Sequence, residues 1–130
     1  MAIDVSQVAL DEAKKRFPDE NISFEKQDIF DMPAHYHDTF DFIFEALTIQ
    51  SLPIEFREKM IDAISDTLAP KGKILVVAHQ REHTFDGPPW PLTQVEIDWF
   101  KTTGLTQLYC EIVKAPSGIS NSRFHALYTK

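Results

Sequence analysis

Along this chain the alternation of apolar and polar positions changes rhythm several times, and each change marks an element. Residues 40–53 read FDFIFEALTIQSLP, in which Phe40, Phe42, Ile43 and Phe44 make an apolar run broken only by Asp41. A short run of that kind predicts a strand covered on both faces, as in parallel sheets flanked by helices. The run turns polar at Glu45, Thr48, Gln50 and Ser51. Open α/β sheets bind ligands outside the carboxyl ends of their strands, so part of a site is expected here.

Residues 2–5 are short and β-prone and end at Ser6, whose hydroxyl can cap a helix by accepting a free backbone N–H. That helix should run to about Arg16, with Ala9, Leu10, Ala13 and Phe17 on one face and Asp11, Glu12, Lys14 and Lys15 turned away; Pro18 stops it. Residues 22–26 are a second strand, with Ile22 and Phe24 on one face, and QDIFD follows as a loop. Beyond the central strand, Pro53 suits the first turn of a helix. On that helix Phe56, Met60, Ile61, Ile64 and Leu68 recur at helical spacing, against a wet side of Glu55, Glu58, Lys59, Asp62 and Asp66.

Residues 69–72, APKG, should end this helix, with Gly72 free to take a positive φ. KILVVA, residues 73–78, is the clearest strand, and polar His79, Gln80, Arg81, Glu82 and His83 follow it. Gly87, Pro88, Pro89, Trp90 and Pro91 make a stiff connection. Thr93 and Glu96 spell a capping box at the head of a helix that carries Ile97 and Phe100 inward and ends near Gly104. Leu108, Cys110 and Ile112 alternate in one closing strand, residues 105–113, and Phe124, Ala126 and Tyr128 in the other, residues 122–129. Joined by the turn-rich residues 115–121, they form an antiparallel pair. Strands alternating with helices predict an α/β fold with a mainly parallel sheet, made mixed by that pair.

A length of 130 residues fits one domain, and 43% hydrophobic residues supply a core. A net charge of −7 argues against nucleic acid or an anionic membrane as partner. Cys110 is the single cysteine, which excludes an intrachain disulfide, and its alternation with apolar neighbours predicts buried packing rather than a reactive thiol. No apolar stretch approaches the ~20 residues that span a bilayer, and the first residues lack the basic and apolar regions of a signal peptide. A soluble, cytoplasmic protein is expected.

Asp4 falls at the carboxyl end of the first strand, just before a capped helix, where a carboxylate can accept two hydrogen bonds from a ribose diol. It could equally serve only as an anion at the helix N-terminus. A dinucleotide ribose would also suit it, so nicotinamide-dinucleotide binding is an alternative, which the closing antiparallel strand and the acidic loop at Asp28 disfavour. Asp28, just past the second strand, can accept from the exocyclic amine of a purine with Ile29 or Phe30 against the ring, or can be a plain turn aspartate. His35 with His37, and His79 with His83, lack a third ligand at set spacing, so no metal is expected. Ser51, His79 and Asp86 lack the G-x-S-x-G of a nucleophile elbow. Trp90 between prolines reads as a loop anchor more readily than as a substrate stacker.

Taken together, AIDVS, QDIFD, FDFIFEALTIQSLP, LAPKGKILVVAH, PPWPLT and SRFHALYTK resemble the class I, Rossmann-like S-adenosylmethionine-dependent methyltransferases. The L-x-P-x-G turn is the most characteristic of these pieces. The resemblance implies a three-layer sandwich with a mixed, mostly parallel sheet and a C-terminal antiparallel strand. It implies S-adenosylmethionine as cofactor. Asp4 would then hold the ribose, Val5 would line the adenine, and Asp28 with Ile29 would face the adenine amine. Glu45 and Ala46 would lie by the methionine portion, and Gln50, His79, Arg81 and Trp90 would border the acceptor. Glu45, His79 and His83 are the candidate general bases, and the aromatic and proline content favours a small organic acceptor.

The family begins with a strand carrying a loop of the form G-x-G-x-G, and nothing here matches it: the four glycines are Gly72, Gly87, Gly104 and Gly118. The chain therefore reads as a truncated domain lacking the central first strand. Buried unpaired backbone groups on the flanking strands would cost ~1–3 kcal/mol each. Those strands could pair directly, or another chain could supply the partner, and strand exchange between identical protomers predicts a homo-oligomer. The alternative is a catalytically inactive remnant that acts as an interaction module.

Overall fold

A computed structural model describes residues 1–18, 21–82, 87–114 and 122–130. These residues form two units, Met1–Pro33 and Ala34–Lys130. The turn residues 115–121, together with His83 and Asp86, lie outside the described residues.

In the first unit β1 (Ala2–Asp4) pairs in parallel with β2 (Phe24–Lys26), Asp4 standing opposite Lys26. Between them runs α1 (Gln7–Arg16). Ser6 caps it as expected, its hydroxyl accepting the Ala9 N–H at 3.3 Å. Of the apolar face read for this helix only Leu10 is buried; Phe17 is exposed, and so is Ile22, which precedes β2 rather than belonging to it. A small two-stranded sheet offers α1 too little surface to cover a full stripe.

The second unit contains β3 (Phe40–Ala46), α2 (Arg57–Thr67), β4 (Leu68–His79), α3 (Gln94–Asp98), β5 (Thr106–Val113) and β6 (Arg123–Thr129). Its strand order is β3-β4-β6-β5. β3 and β4 are parallel, and β6 runs antiparallel to both β4 and β5. Three of the four strands thus share a direction, giving the expected mixed α/β fold with its antiparallel C-terminal strand. On β6, Phe124, Ala126 and Tyr128 are fully buried, as are Ile74, Val76 and Ala78 beside them on β4. Tyr128 stacks on Phe100 at 5.0 Å and donates its hydroxyl to the Ile97 carbonyl at 2.7 Å. That contact puts α3 and its 3₁₀ extension (Trp99–Lys101) over this face. No helix among the described residues is long and apolar enough to cross a membrane.

Four local expectations are corrected. Residues 69–72 do not form a helix-ending turn: β4 already begins at Leu68, and they bulge out of it between the pairs Phe40–Leu68 and Phe42–Lys73. Lys71, not Gly72, takes the left-handed conformation, with φ 67°. Gly72 is needed for close approach instead, because a Cβ there would stand 2.8 Å from the Ala69 carbonyl oxygen and 2.9 Å from that of Phe40. Second, β3 is covered on one face only. Glu45, in register with Val76, is buried, whereas Phe42 and Phe44 are 57% and 61% exposed.

Third, Leu108 and Ile112 on β5 are exposed and Cys110 is only half-buried. β5 is an edge strand, so its side chains have a neighbouring strand on one side alone. Last, the inward stripe read for α2 is buried at Met60, Ile61, Ile64 and Leu68 but fails at its first position. Phe56 is largely exposed, and Arg57, three and four positions before Met60 and Ile61, is fully buried in its place.

Candidate active site

The unit Met1–Pro33 carries Asp4, Val5, Asp28 and Ile29. Asp4 closes β1, and the backbone N–H of Gln27, one residue past β2, donates to the Asp4 carbonyl at 3.1 Å. The carboxyl ends of the two strands are thereby stitched together, and both aspartates stand at one edge of the small sheet. Asp4 uses one carboxylate oxygen to accept the Ser6 N–H at 2.7 Å. Asp28 uses one to accept the Phe30 N–H at 2.9 Å, capping the turn Ile29–Asp31. The second oxygen of each meets no protein partner among the described residues and stays open to a hydroxyl or amine. Val5 is exposed and Ile29 half-buried, so apolar surface lies next in the chain to each acid.

In the unit Ala34–Lys130 the loop after β3 is the hub. The Glu45 carboxylate folds back over it, one oxygen accepting the N–H groups of Thr48 at 2.7 Å and Ile49 at 3.0 Å. Leu47 makes the required reversal with φ 65°. The other Glu45 oxygen is buried with no hydrogen-bond partner among the described residues. Burial raises this carboxyl to about 7, against the lowering effect of the Ile49 and Thr48 N–H groups. Ala46, next to it at the end of β3, is exposed.

Gln50 joins three segments. Its side-chain oxygen accepts the His79 N–H at 2.7 Å, and its own carbonyl accepts the Trp90 N–H at 2.6 Å. Leu92 in turn donates to the His79 carbonyl at 2.8 Å. The ends of β3 and β4 and the proline-rich connection are held as one frame. The Nδ1 of His79 is buried without a partner among the described residues. Burial, and secondarily the Arg123 guanidinium, push His79 below its usual range, so it is neutral at pH 7. Glu45 lies in register with Val76, while His79 alternates with Ala78 onto the opposite face. Glu45 and His79, two of the three candidate bases, therefore project from opposite faces of the sheet and do not converge.

Arg81 and Trp90 do come together, around a cluster that sequence reasoning missed. Arg57, fully buried, donates to Glu96 at 2.5 Å and to the Trp90 carbonyl at 2.5 Å. Arg81 donates to the same Glu96 at 3.0 Å and to the Pro91 carbonyl at 2.6 Å. Glu96 also completes the capping box, accepting the Thr93 N–H at 2.6 Å. Burial pushes the Glu96 carboxyl up, but the Thr93 hydrogen bonds and the two guanidiniums outweigh it and hold the group below its ordinary range. The polar groups of Arg81 and Trp90 named here are engaged in holding residues 87–93, leaving the indole ring, packed on Gly87, as the part of Trp90 that can face an acceptor. The one sequence signal for Arg57 was its place on the inward spacing of α2.

Comparison with known proteins agrees with this architecture. A family model described as thiopurine S-methyltransferase matches residues 2–117. No curated protein matches the sequence. Among solved structures, the N-methyltransferase NodS from Bradyrhizobium japonicum WM9, in complex with S-adenosyl-L-homocysteine, is 21% identical with a TM-score of 0.77, over 98% of this chain and 64% of that one. The 1,6-didemethyltoxoflavin-N1-methyltransferase of Burkholderia thailandensis, with 1,6-didemethyltoxoflavin and S-adenosylhomocysteine bound, is 14% identical with a TM-score of 0.73, over 99% and 60%. The [4+2]-cyclase SpnF is 18% identical with a TM-score of 0.76, over 98% and 64%. At such identities the likeness establishes the fold. The chain spans less than two thirds of the length of each of these three.

Proposed function

The chain belongs to the thiopurine S-methyltransferase family, and on that premise we propose that it serves S-adenosylmethionine-dependent methyl transfer to a small organic acceptor. The observation that carries this reading is the pair of aspartates at the joined ends of β1 and β2, each with one oxygen left open. Asp4 accepts from the ribose hydroxyls, Asp28 from the adenine amine, and Val5 and Ile29 supply apolar contact to the base. Glu45 and Ala46 belong to the methionine side, and Gln50, Arg81 and Trp90 to the acceptor side. The cofactor brings an already activated methyl group, so the work left to the protein is alignment and exclusion of water. Where an acceptor arrives protonated, His79, neutral at pH 7, is the better candidate to take the proton. The reading places the chain in the cytoplasm, with no membrane or nucleic-acid partner and with self-association as a homo-oligomer.

The absence of any glycine before Gly72 favours a second reading, a catalytically inactive remnant that survives as an oligomeric interaction module. Thermal melting with S-adenosylhomocysteine separates the two. A ligand at one hundred times its Kd stabilises a fold by about 2.7 kcal/mol, a shift of several degrees for a domain this size. Methyl transfer predicts that shift for the natural chain and a much smaller one for Asp28→Ala. An unchanged melting curve at saturating ligand supports the remnant.

A further inference from the structure

The turn that carries Gln50 is held by one carboxyl group. Leu47 follows β3 in the left-handed conformation, φ 65°, which a leucine keeps only where its neighbours hold it. The 3₁₀ turn Ile49–Ser51 comes next. Thr48, in the capping position, makes no side-chain cap, and its hydroxyl turns back to the Ala46 carbonyl at 3.4 Å. The N–H groups at the head of the turn, those of Thr48 and Ile49, go instead to one oxygen of Glu45. Gln50, the following residue, is buried and receives the His79 N–H on its side chain and the Trp90 N–H on its carbonyl. Glu45, the Gln50 turn, and then His79 and Trp90 therefore stand in series.

We propose that Glu45 is a positioning residue for the acceptor side, and that its proton latches the Gln50 turn onto His79 and Trp90. The second Glu45 oxygen is buried without a partner among the described residues. With a proton the group is neutral and tolerates that burial; ionised, it leaves a charged acceptor away from water, which is far costlier. The elements around it supply no counter-charge. Beside it on β4 stand Ile74, Val76 and Ala78, and residues 48–51 have no ionisable side chain. The buried side of α2, which packs on that turn, brings Arg57 with Met60 and Ile61. The Arg57 guanidinium is taken by Glu96 and the Trp90 carbonyl. Burial displaces the Glu45 carboxyl upward, to about 7 from 4.5. By linkage, raising the pH through that interval shifts the balance between latched and released turn by up to roughly 300-fold toward release. Release carries the carboxylate to water, frees the Thr48 and Ile49 N–H groups and lets Leu47 relax. Acceptor binding is then proton-linked and tightest while Glu45 is protonated. That consequence rests on the acceptor-side reading of Gln50 and Trp90, whereas the latch itself needs neither cofactor nor acceptor, so the two fail separately.

Amide hydrogen exchange of the full chain from about pH 4.5 to about pH 8 tests it. Protection factors, which remove the intrinsic pH dependence of exchange, should fall together at His79 and Trp90 by at least about tenfold as pH rises to about 7, and level off above. Both should stay below that of Val76 at every pH, because release is local. Glu45→Gln keeps an oxygen for Thr48 and Ile49 and has no charge to gain, so it should hold both amides at the same protection throughout. The Glu45 carboxyl ¹³C signal of the natural chain should titrate where the fall levels off. Protection at His79 and Trp90 that is indifferent to pH overturns the proposal, as does the same fall in Glu45→Gln. Protection equal to that of Val76 at every pH also overturns it, since global unfolding would then account for the exchange. If Glu45→Gln does not fold, the carboxyl signal decides: a midpoint more than about one unit from the levelling point overturns the latch.

Discussion

Arg57 and Glu96 form a 2.5 Å ion pair with neither side chain more than marginally exposed, joining the start of α2 to the first turn of α3. Breaking one side of such a pair leaves a buried charge short of a partner, which costs about 3–5 kcal/mol. Arg57→Ala is expected to lose stability of that order in urea denaturation. Arg81→Ala should lose less, because its side chain is partly exposed and Glu96 keeps Arg57 and Thr93. Equal losses would mean that the cluster is not centred on Arg57.

Glu45 predicts an unusual pH dependence. Its carboxyl is raised from an ordinary value near 4.5 to about 7 in the folded chain. Between those values the folded state binds the proton and the unfolded state does not, so this group makes stability fall as pH rises from about 4.5 to about 7. The whole effect is roughly 3 kcal/mol. Glu45→Gln retains an oxygen for Thr48 and Ile49 and removes the charge, so it should melt higher than the natural chain at pH 8 and about equally at pH 4.5. Melting curves across that range check it, and a mutant destabilised at pH 8 would contradict it.

Gln50 should be felt at His79 first. Gln50→Ala removes the acceptor of the His79 N–H and leaves a partly buried donor unpaired, at a cost of about 1–3 kcal/mol. Amide hydrogen exchange should speed at His79 more than at Val76, deep in the same strand. The Trp90 N–H, held by the Gln50 backbone carbonyl, should change less.

Much of the fold could be read from local rules. Ser6 and the Thr93–Glu96 box cap helices where their side-chain chemistry says they should, and Phe124, Ala126 and Tyr128 alternate into the core. What escaped reading depended on partners distant in sequence. Arg57 looks like a surface residue until Glu96, thirty-nine positions on, supplies its counter-charge. Phe42 and Phe44 have the composition of a covered strand, but which face is covered is decided by where α3 packs, and no pattern within β3 states that. Gly72 suggested a positive φ because glycine tolerates one; the crowding that makes it necessary comes from Ala69 within the same bulge and from Phe40 across the ladder. For the site, the placing of Asp4 and Asp28 after strands was legible, because a strand followed by a capped turn has a local signature. That Glu45 and His79 face opposite sides followed only once the β3–β4 register was fixed.

Calorimetric titration of the natural chain and of Asp4→Ala with S-adenosylhomocysteine tests nucleoside recognition by the paired aspartates. Saturable binding by the natural chain is expected, weakened at least about tenfold, or ~1.4 kcal/mol, when the Asp4 carboxylate is removed. Absence of heat at millimolar ligand, or equal affinity in the two proteins, would contradict it.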